Sequence, residues 1–204
     1  MGHVVLLGDS VFDNAAYVPD QPDVVTQLRS LLPGGWTASL HAVDGSVTCD
    51  VRRQLGRLPP DATHLIVSVG GNDALQHASL GTESAGSVAE VVHRLAEIKS
   101  RFRHEYRTML DAALACNLPT AICTVYRGNF DDPDMQKFAD VGTSIFNDVI
   151  TSEASARSVP LIDLRVIFDN SDDYANPIEP SAIGGEKLAR TILELVTGRM
   201  ATTQ

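Results

Sequence analysis

HVVLLGDS, residues 3–10, is an apolar run that ends on Gly8-Asp9-Ser10. Four later runs resemble it: TASLHAV (37–43), HLIVSVG (64–70), PTAICTVY (119–126) and VPLIDL (159–164). All are rich in Val, Ile and Leu with little polar alternation, which is the pattern of strands buried on both faces. Helical periods lie between them. DVVTQLRSLL follows Pro22 and closes at Pro33-Gly34-Gly35, and a second helix from about 48 to 58 stops at Pro59-Pro60. A long third helix covers about 86 to 116, a fourth about 133 to 157, and a fifth about 184 to 197. In the third, Val88, Val91, Val92, Leu95, Ile98, Phe102, Tyr106 and Met109 recur at threes and fours, an apolar stripe expected to face the core. Phe138, Val141, Ile145, Phe146, Val149 and Ile150 are expected to point inward from the fourth.

Strand and helix in alternation imply parallel strands joined by right-handed crossovers. The expected fold is a three-layer α/β/α sandwich on a five-stranded parallel sheet. One domain is expected over residues 1–200, with a short tail at 201–204. Ligands of such sheets sit beyond the carboxyl ends of the strands. The loops that follow the five runs are therefore the places to look for chemistry.

The chain has 204 residues and a net charge of −10. That balance argues against nucleic acid or an anionic membrane surface as the main partner, because either needs clustered Lys and Arg. A hydrophobic content of 44% with 21% charged residues excludes a disordered chain. No run of 18 apolar residues offers a membrane span, and HVVLLGDS is too short and lacks the basic flank of a signal peptide. Cys49, Cys116 and Cys123 are an odd count without zinc-like spacing, so reduced thiols in a cytoplasmic protein are expected. No cofactor and no metal are expected. The acidic pairs Asp131-Asp132 and Asp172-Asp173 read as solvated loops.

Three strand ends carry short polar motifs. Ser10 follows the first strand, where backbone N–H groups can hold an anion. GDSVFDN lacks the glycines of a dinucleotide fingerprint or a phosphate loop. Gly45 follows the second strand and can bring its N–H close to a ligand. Asn72, in Gly70-Gly71-Asn72-Asp73, carries an amide able to donate to an oxyanion. Each taken alone is more simply a turn or cap residue.

Taken in order, these three blocks resemble the SGNH hydrolase superfamily, the GDSL esterases and lipases. The resemblance covers the whole chain. It implies a flavodoxin-like sheet of order 2-1-3-4-5 and hydrolysis of acyl esters by a nucleophilic serine, Ser10. It also implies an oxyanion hole made of the Ser10 N–H, the Gly45 N–H and the Asn72 side chain. The resemblance fails at the last block. Where the family has Asp-x-x-His, this chain has Asn176-Pro177-Ile178-Glu179, and no histidine follows His104.

A carboxylate beside Ser10 can take the hydroxyl proton if desolvation raises its pKa. Glu179 is the expected base, oriented by the Asn176 amide, which can donate where a carboxylate would repel. An ordinary glutamate would keep such an enzyme active below pH 6. Two alternatives stand beside this reading. His77 is the histidine placed by sequence near the site. A catalytically weak or inactive protein that binds a ligand in the oxyanion pocket is the other. Asp9, Asp73 and Tyr126 are candidates for the cleft. The expected substrate is a small or short-chain ester, since no segment looks like an apolar lid.

Overall fold

The computed structural model describes residues 1–198. The expected tail, 201–204, lies outside them. The sheet strands are β1 (Gly2–Gly8), β2 (Trp36–Leu40), β3 (His64–Ser68), β4 (Thr120–Cys123) and β5 (Leu161–Ile162). They pair in parallel in the order β2-β1-β3-β4-β5. The helices are α1 (Val24–Leu31), α2 (Val51–Leu55), α3 (Gly71–Leu75), α4 (Val88–Leu114), α5 (Pro133–Ala156), α6 (Leu164–Ile167) and α7 (Ala182–Thr197). A small antiparallel pair, β6 (Tyr174–Asn176) and β7 (Glu179–Pro180), precedes α7.

Side chains alternate along each strand, so the sheet serves two cores. Val4, Leu6 and Ile66 meet Val24, Leu28, Leu188 and Ile192 on one face. On the other, Val5, Leu7, Leu65 and Val67 meet Val51, Tyr106, Met109, Leu110 and Ile150. The result is the expected three-layer sandwich. Among the described residues no helix is long and apolar enough to cross a membrane.

Two expectations change. The second helix is shorter than 48–58: a 3-10 turn at Thr48–Asp50 leads into a helix that ends at Leu55. The apolar stripes of α4 and α5 are not buried throughout. Val88, Val92 and Val141 are exposed, and the buried residues of α4 begin only at Phe102 and those of α5 at Phe146. The cause is length. The 27 residues of α4 span about 40 Å at 1.5 Å per residue, whereas the five residues of β3 span about 17 Å. Crossover helices run antiparallel to the strands, so the amino-terminal halves of α4 and α5 overhang the carboxyl edge of the sheet. They stand beside the ends of β1 and β3.

At that edge β1 outruns β2, which stops at Leu40. The Gly8 N–H therefore faces no strand. Gln54 replaces it: its Oε1 accepts from Gly8 N at 2.7 Å and its Nε2 donates to Gly8 O at 2.8 Å. Gln54→Leu keeps the apolar body of the side chain and leaves a buried N–H unpaired. It is expected to cost about 1–3 kcal/mol, read as a lower urea midpoint with an unchanged slope.

Candidate active site

β1 ends on Gly8 with φ +127, and a Cβ there would stand 1.7 Å from the Ser68 carbonyl oxygen. Only glycine fits this turn. The next two residues bend over the sheet edge, with Asp9 Oδ1 accepting from Val11 N at 3.2 Å. Ser10 is thereby carried to the sheet's carboxyl edge, 6% exposed.

The Ser10 hydroxyl donates to Glu179 Oε1 at 3.1 Å. Glu179 is itself 6% exposed. It lies on β7, in a segment tied down by its own backbone. Asn129 N donates to Pro177 O at 2.8 Å, the Tyr126 hydroxyl donates to the Ile178 carbonyl, and Asn14 Nδ2 donates to Pro180 O at 3.3 Å. The Tyr126 ring packs against Phe168 and Tyr174.

Burial pushes the Glu179 carboxyl from its ordinary 4.5 up to about 7, against the lowering effect of the Ser10 hydroxyl, with the Asp44 charge adding to the rise. Its second oxygen, Oε2, is buried and without a hydrogen-bond partner among the described residues. The expectation for Asn176 is corrected here. Its Oδ1 accepts from Ile178 N at 2.9 Å, closing the turn between β6 and β7, and its amide does not reach Glu179. The pH expectation changes with it, because a carboxyl at about 7 loses its base form below neutrality, as an imidazole does.

Asp9 is buried beside Glu179. Desolvation, with the charges of Glu179 and Asp73 adding to it, pushes its carboxyl up to about 8. Asp73 is buried too, but both its oxygens accept from Thr48 N, at 3.3 and 3.0 Å. It fastens the 46–48 loop to α3 and does not line the cleft. Asn72 Nδ2 donates to Ser46 O at 2.9 Å, which places its amide against the Gly45-Ser46 turn. Gly45 has φ +76. Among the described residues neither the Gly45 N–H nor the Ser10 N–H donates to a backbone carbonyl.

Ser10, Glu179, Asp9, Asn72, His77 and Tyr126 share the wall of one cavity of about 360 Å³. Gly45 lines a separate groove with Asp50, Arg53 and Arg57. The His77 ring lies against Phe146, with centroids 6.5 Å apart, and makes no hydrogen bond to Ser10. Beyond Ser10 the cavity runs between the overhanging halves of α4 and α5 and is walled by apolar side chains.

Among the described residues one serine does touch a histidine, at the opposite edge of the sheet. His3 Nε2 meets Ser39 Oγ, and Asp61 Oδ1 lies 3.1 Å from His3 Nδ1. Ser39 sits within β2, where successive N–H groups point to opposite sides and do not converge on an anion.

Sequence reasoning missed Gln54, Asn14 and the apolar cavity. Gln54 left a trace, a polar residue three positions from Val51 on the inner face of α2. Asn14, fully buried, left none.

The model of the GDSL-like Lipase/Acylhydrolase family matches residues 6–185. No curated protein matches in sequence. Among solved structures, a lipase from goat rumen metagenome superposes with a TM-score of 0.74 at 19% identity, covering 98% of this chain and 100% of that one. A phospholipase A1 from Streptomyces albidoflavus gives 0.70 at 16% identity, over 98% and 99%. An acetyl xylan esterase gives 0.70 at 18%, over 95% and 99%. At these identities the likeness speaks for the fold.

The raised carboxyl has a consequence for stability. A carboxyl whose folded pKa lies above its unfolded value holds its proton more tightly in the fold, so stability falls as pH rises from about 4.5 to about 7. Glu179→Gln removes that loss. The variant is expected to be more stable than wild type at pH 8 by about 1–3 kcal/mol. Thermal melts should show the gap narrowing towards pH 5.

Proposed function

Because the chain belongs to the GDSL-like lipase/acylhydrolase family, we propose that it hydrolyses small-molecule carboxylic esters through an acyl-enzyme on Ser10, with Glu179 as the base. The observation that carries this reading is the 3.1 Å hydrogen bond from the Ser10 hydroxyl to Glu179 Oε1.

In the first half-reaction the Ser10 O–H bond breaks and its proton passes to Glu179 Oε1. Ser10 Oγ bonds to the ester carbonyl carbon, and the carbonyl electron pair moves onto oxygen. The Ser10 and Gly45 N–H groups and the second N–H of the Asn72 amide would hold that oxyanion. Collapse expels the alkoxide, which takes the proton from Glu179 and leaves as the alcohol. In the second half-reaction water gives a proton to Glu179 and attacks the acyl carbon, and Ser10 Oγ leaves with that proton. One group must accept and then return a proton twice per turnover, which suits a pKa near the working pH. Burial puts Glu179 there. Asp9, largely protonated at neutral pH, adds no second full negative charge beside it. Three unpaired thiols support placing the protein in a reducing, cytoplasmic compartment.

Turnover of p-nitrophenyl acetate is the direct test. Ser10→Ala should lose activity by several powers of ten, and a serine-directed phosphonate should label Ser10. Equal rates for wild type and Ser10→Ala would leave a binding protein on this scaffold. Asn72→Ala is expected to lower kcat by about 10²–10³; a change confined to KM would make Asn72 a positioning residue instead.

For the base, kcat/KM should rise with pH as one ionisation near 7 and then level off, because the deprotonated carboxylate is the active form. Glu179→Gln should abolish that rise together with turnover. If His77→Ala were inactive while Glu179→Gln kept full activity, His77 would be the base.

A further inference from the structure

The cavity beside Ser10 extends far past the reacting atoms. Its distal walls are Val91, Leu95 and Ile98 on α4, facing Phe138 and Phe146 on α5. Among the described residues no charged side chain lines that far part. Thr143, which does, turns its hydroxyl back to the Ala139 carbonyl at 2.8 Å. One position on α5 breaks the apolar wall. Phe138, Gly142 and Phe146 follow each other at intervals of four and so lie on one stripe of the helix. Gly142 is a notch between two phenylalanines.

Glycine within a helix destabilises it relative to alanine. It is normally retained where another backbone comes too close for a Cβ, and no such approach exists here. A Cβ on Gly142 would meet nothing within 4 Å, and φ there is not positive. Gly142 nonetheless borders the cavity. The space left by the missing side chain is cavity space.

We infer that the cavity takes a straight saturated acyl chain of medium length, about eight to twelve carbons, and that Gly142 sets how long a chain fits. The inference rests on the reading of Ser10 as the acylated residue. The length follows from the apolar wall, because the run from Phe138 to Phe146 along α5 spans about 12 Å at 1.5 Å per residue, the reach of roughly ten extended methylenes. The chain would enter at Ser10, pass under the Ala78–Thr82 turn, and run between α4 and α5 past the notch. The proposal departs from the short-chain expectation. The apolar surface absent from any lid-like segment of sequence is supplied by the overhang of two helices whose stripes read as core.

The test is a series of p-nitrophenyl esters from acetate to laurate, read as ratios of kcat/KM to the acetate value. Wild type should gain about fourfold per methylene, the equivalent of about 0.8 kcal/mol, up to octanoate or decanoate. Gly142→Ala should shorten the optimum slightly. Gly142→Phe should lower the decanoate-to-acetate ratio at least tenfold. Should Gly142→Phe fail to melt cooperatively, Gly142→Leu and, from the facing wall, Leu95→Phe carry the same readout. An enzyme that turns over acetate through Ser10 with no gain for longer chains, or a ratio unmoved by all of these substitutions, overturns the inference and leaves the role of Ser10 standing.

If no ester is turned over, the reading of Ser10 falls and calorimetry with decanoate decides the cavity. Binding that Gly142→Phe weakens at least tenfold supports the acyl site. Absence of binding, or binding indifferent to the substitution, overturns it.

Discussion

A glutamate carboxyl held against a serine hydroxyl is the contact around which this site is arranged. Ser10 and Glu179 are 169 positions apart in the chain and meet at 3.1 Å. A carboxylate at its ordinary pKa is a poor acceptor of a serine proton near neutral pH, and burial is what changes that. Burial in turn has to be enforced. The hairpin of β6 and β7 is fixed by hydrogen bonds to its carbonyl groups from Asn14, Tyr126 and Asn129, so the backbone carries Glu179 into the cavity. Desolvating a carboxylate works against folding, and three such groups, Asp9, Asp73 and Glu179, gather at this one edge. Each has a raised pKa with burial as the largest cause.

The same edge is where the long helices run past the sheet. A crossover helix needs only to match its strands, and α4 is about twice that length. Its carboxyl-terminal half supplies Phe102, Tyr106, Met109, Leu110 and Ala113 to the core. Its amino-terminal half has no sheet beneath it and becomes a wall. Core and cavity are thus consecutive parts of one apolar stripe, divided by where the strands end.

That division explains what was legible in the sequence. The strand runs, the helix periods and the order of the three polar blocks lie in local pattern, and they place Ser10, Gly45 and Asn72 at one edge of the sheet; Glu179 is reached only through the family resemblance of the last block. A stripe of Val91, Leu95 and Ile98 looks the same whether it covers a sheet or lines a cavity, because the difference is set by the distant strand ends. Gln54 and Asn14 were missed for a related reason. Each replaces a missing backbone partner, of Gly8 N in one case and of Val24 N and Pro180 O in the other. Such a need exists only once the chain is folded. Asn176 was misread because a donor beside a carboxylate is chemically plausible, yet a closer backbone N–H, that of Ile178, claims its side-chain oxygen.

The outcome for Asn176 bears on why two positions differ together from the Asp-x-x-His pattern. An imidazole has two unlike nitrogens, and a third group must fix which one carries the proton. A carboxylate has two equivalent oxygens and no tautomer to choose, so it needs no orienting partner. With glutamate as the proposed base, the need for an acid three residues earlier falls away. A charge kept there would only raise the Glu179 pKa further and oppose the ionised form that accepts the proton. Asn176 meets the demand that remains, closing the β6–β7 turn without a charge. In the proposed reaction, orientation of the base passes from a side chain to the backbone of the hairpin, and among the described residues Glu179 Oε2 has no donor. A donor there would stabilise the ionised carboxylate and pull its pKa back towards the ordinary acid range. On the proposed mechanism, an unpaired Oε2 thus works together with burial to keep the carboxyl pKa raised.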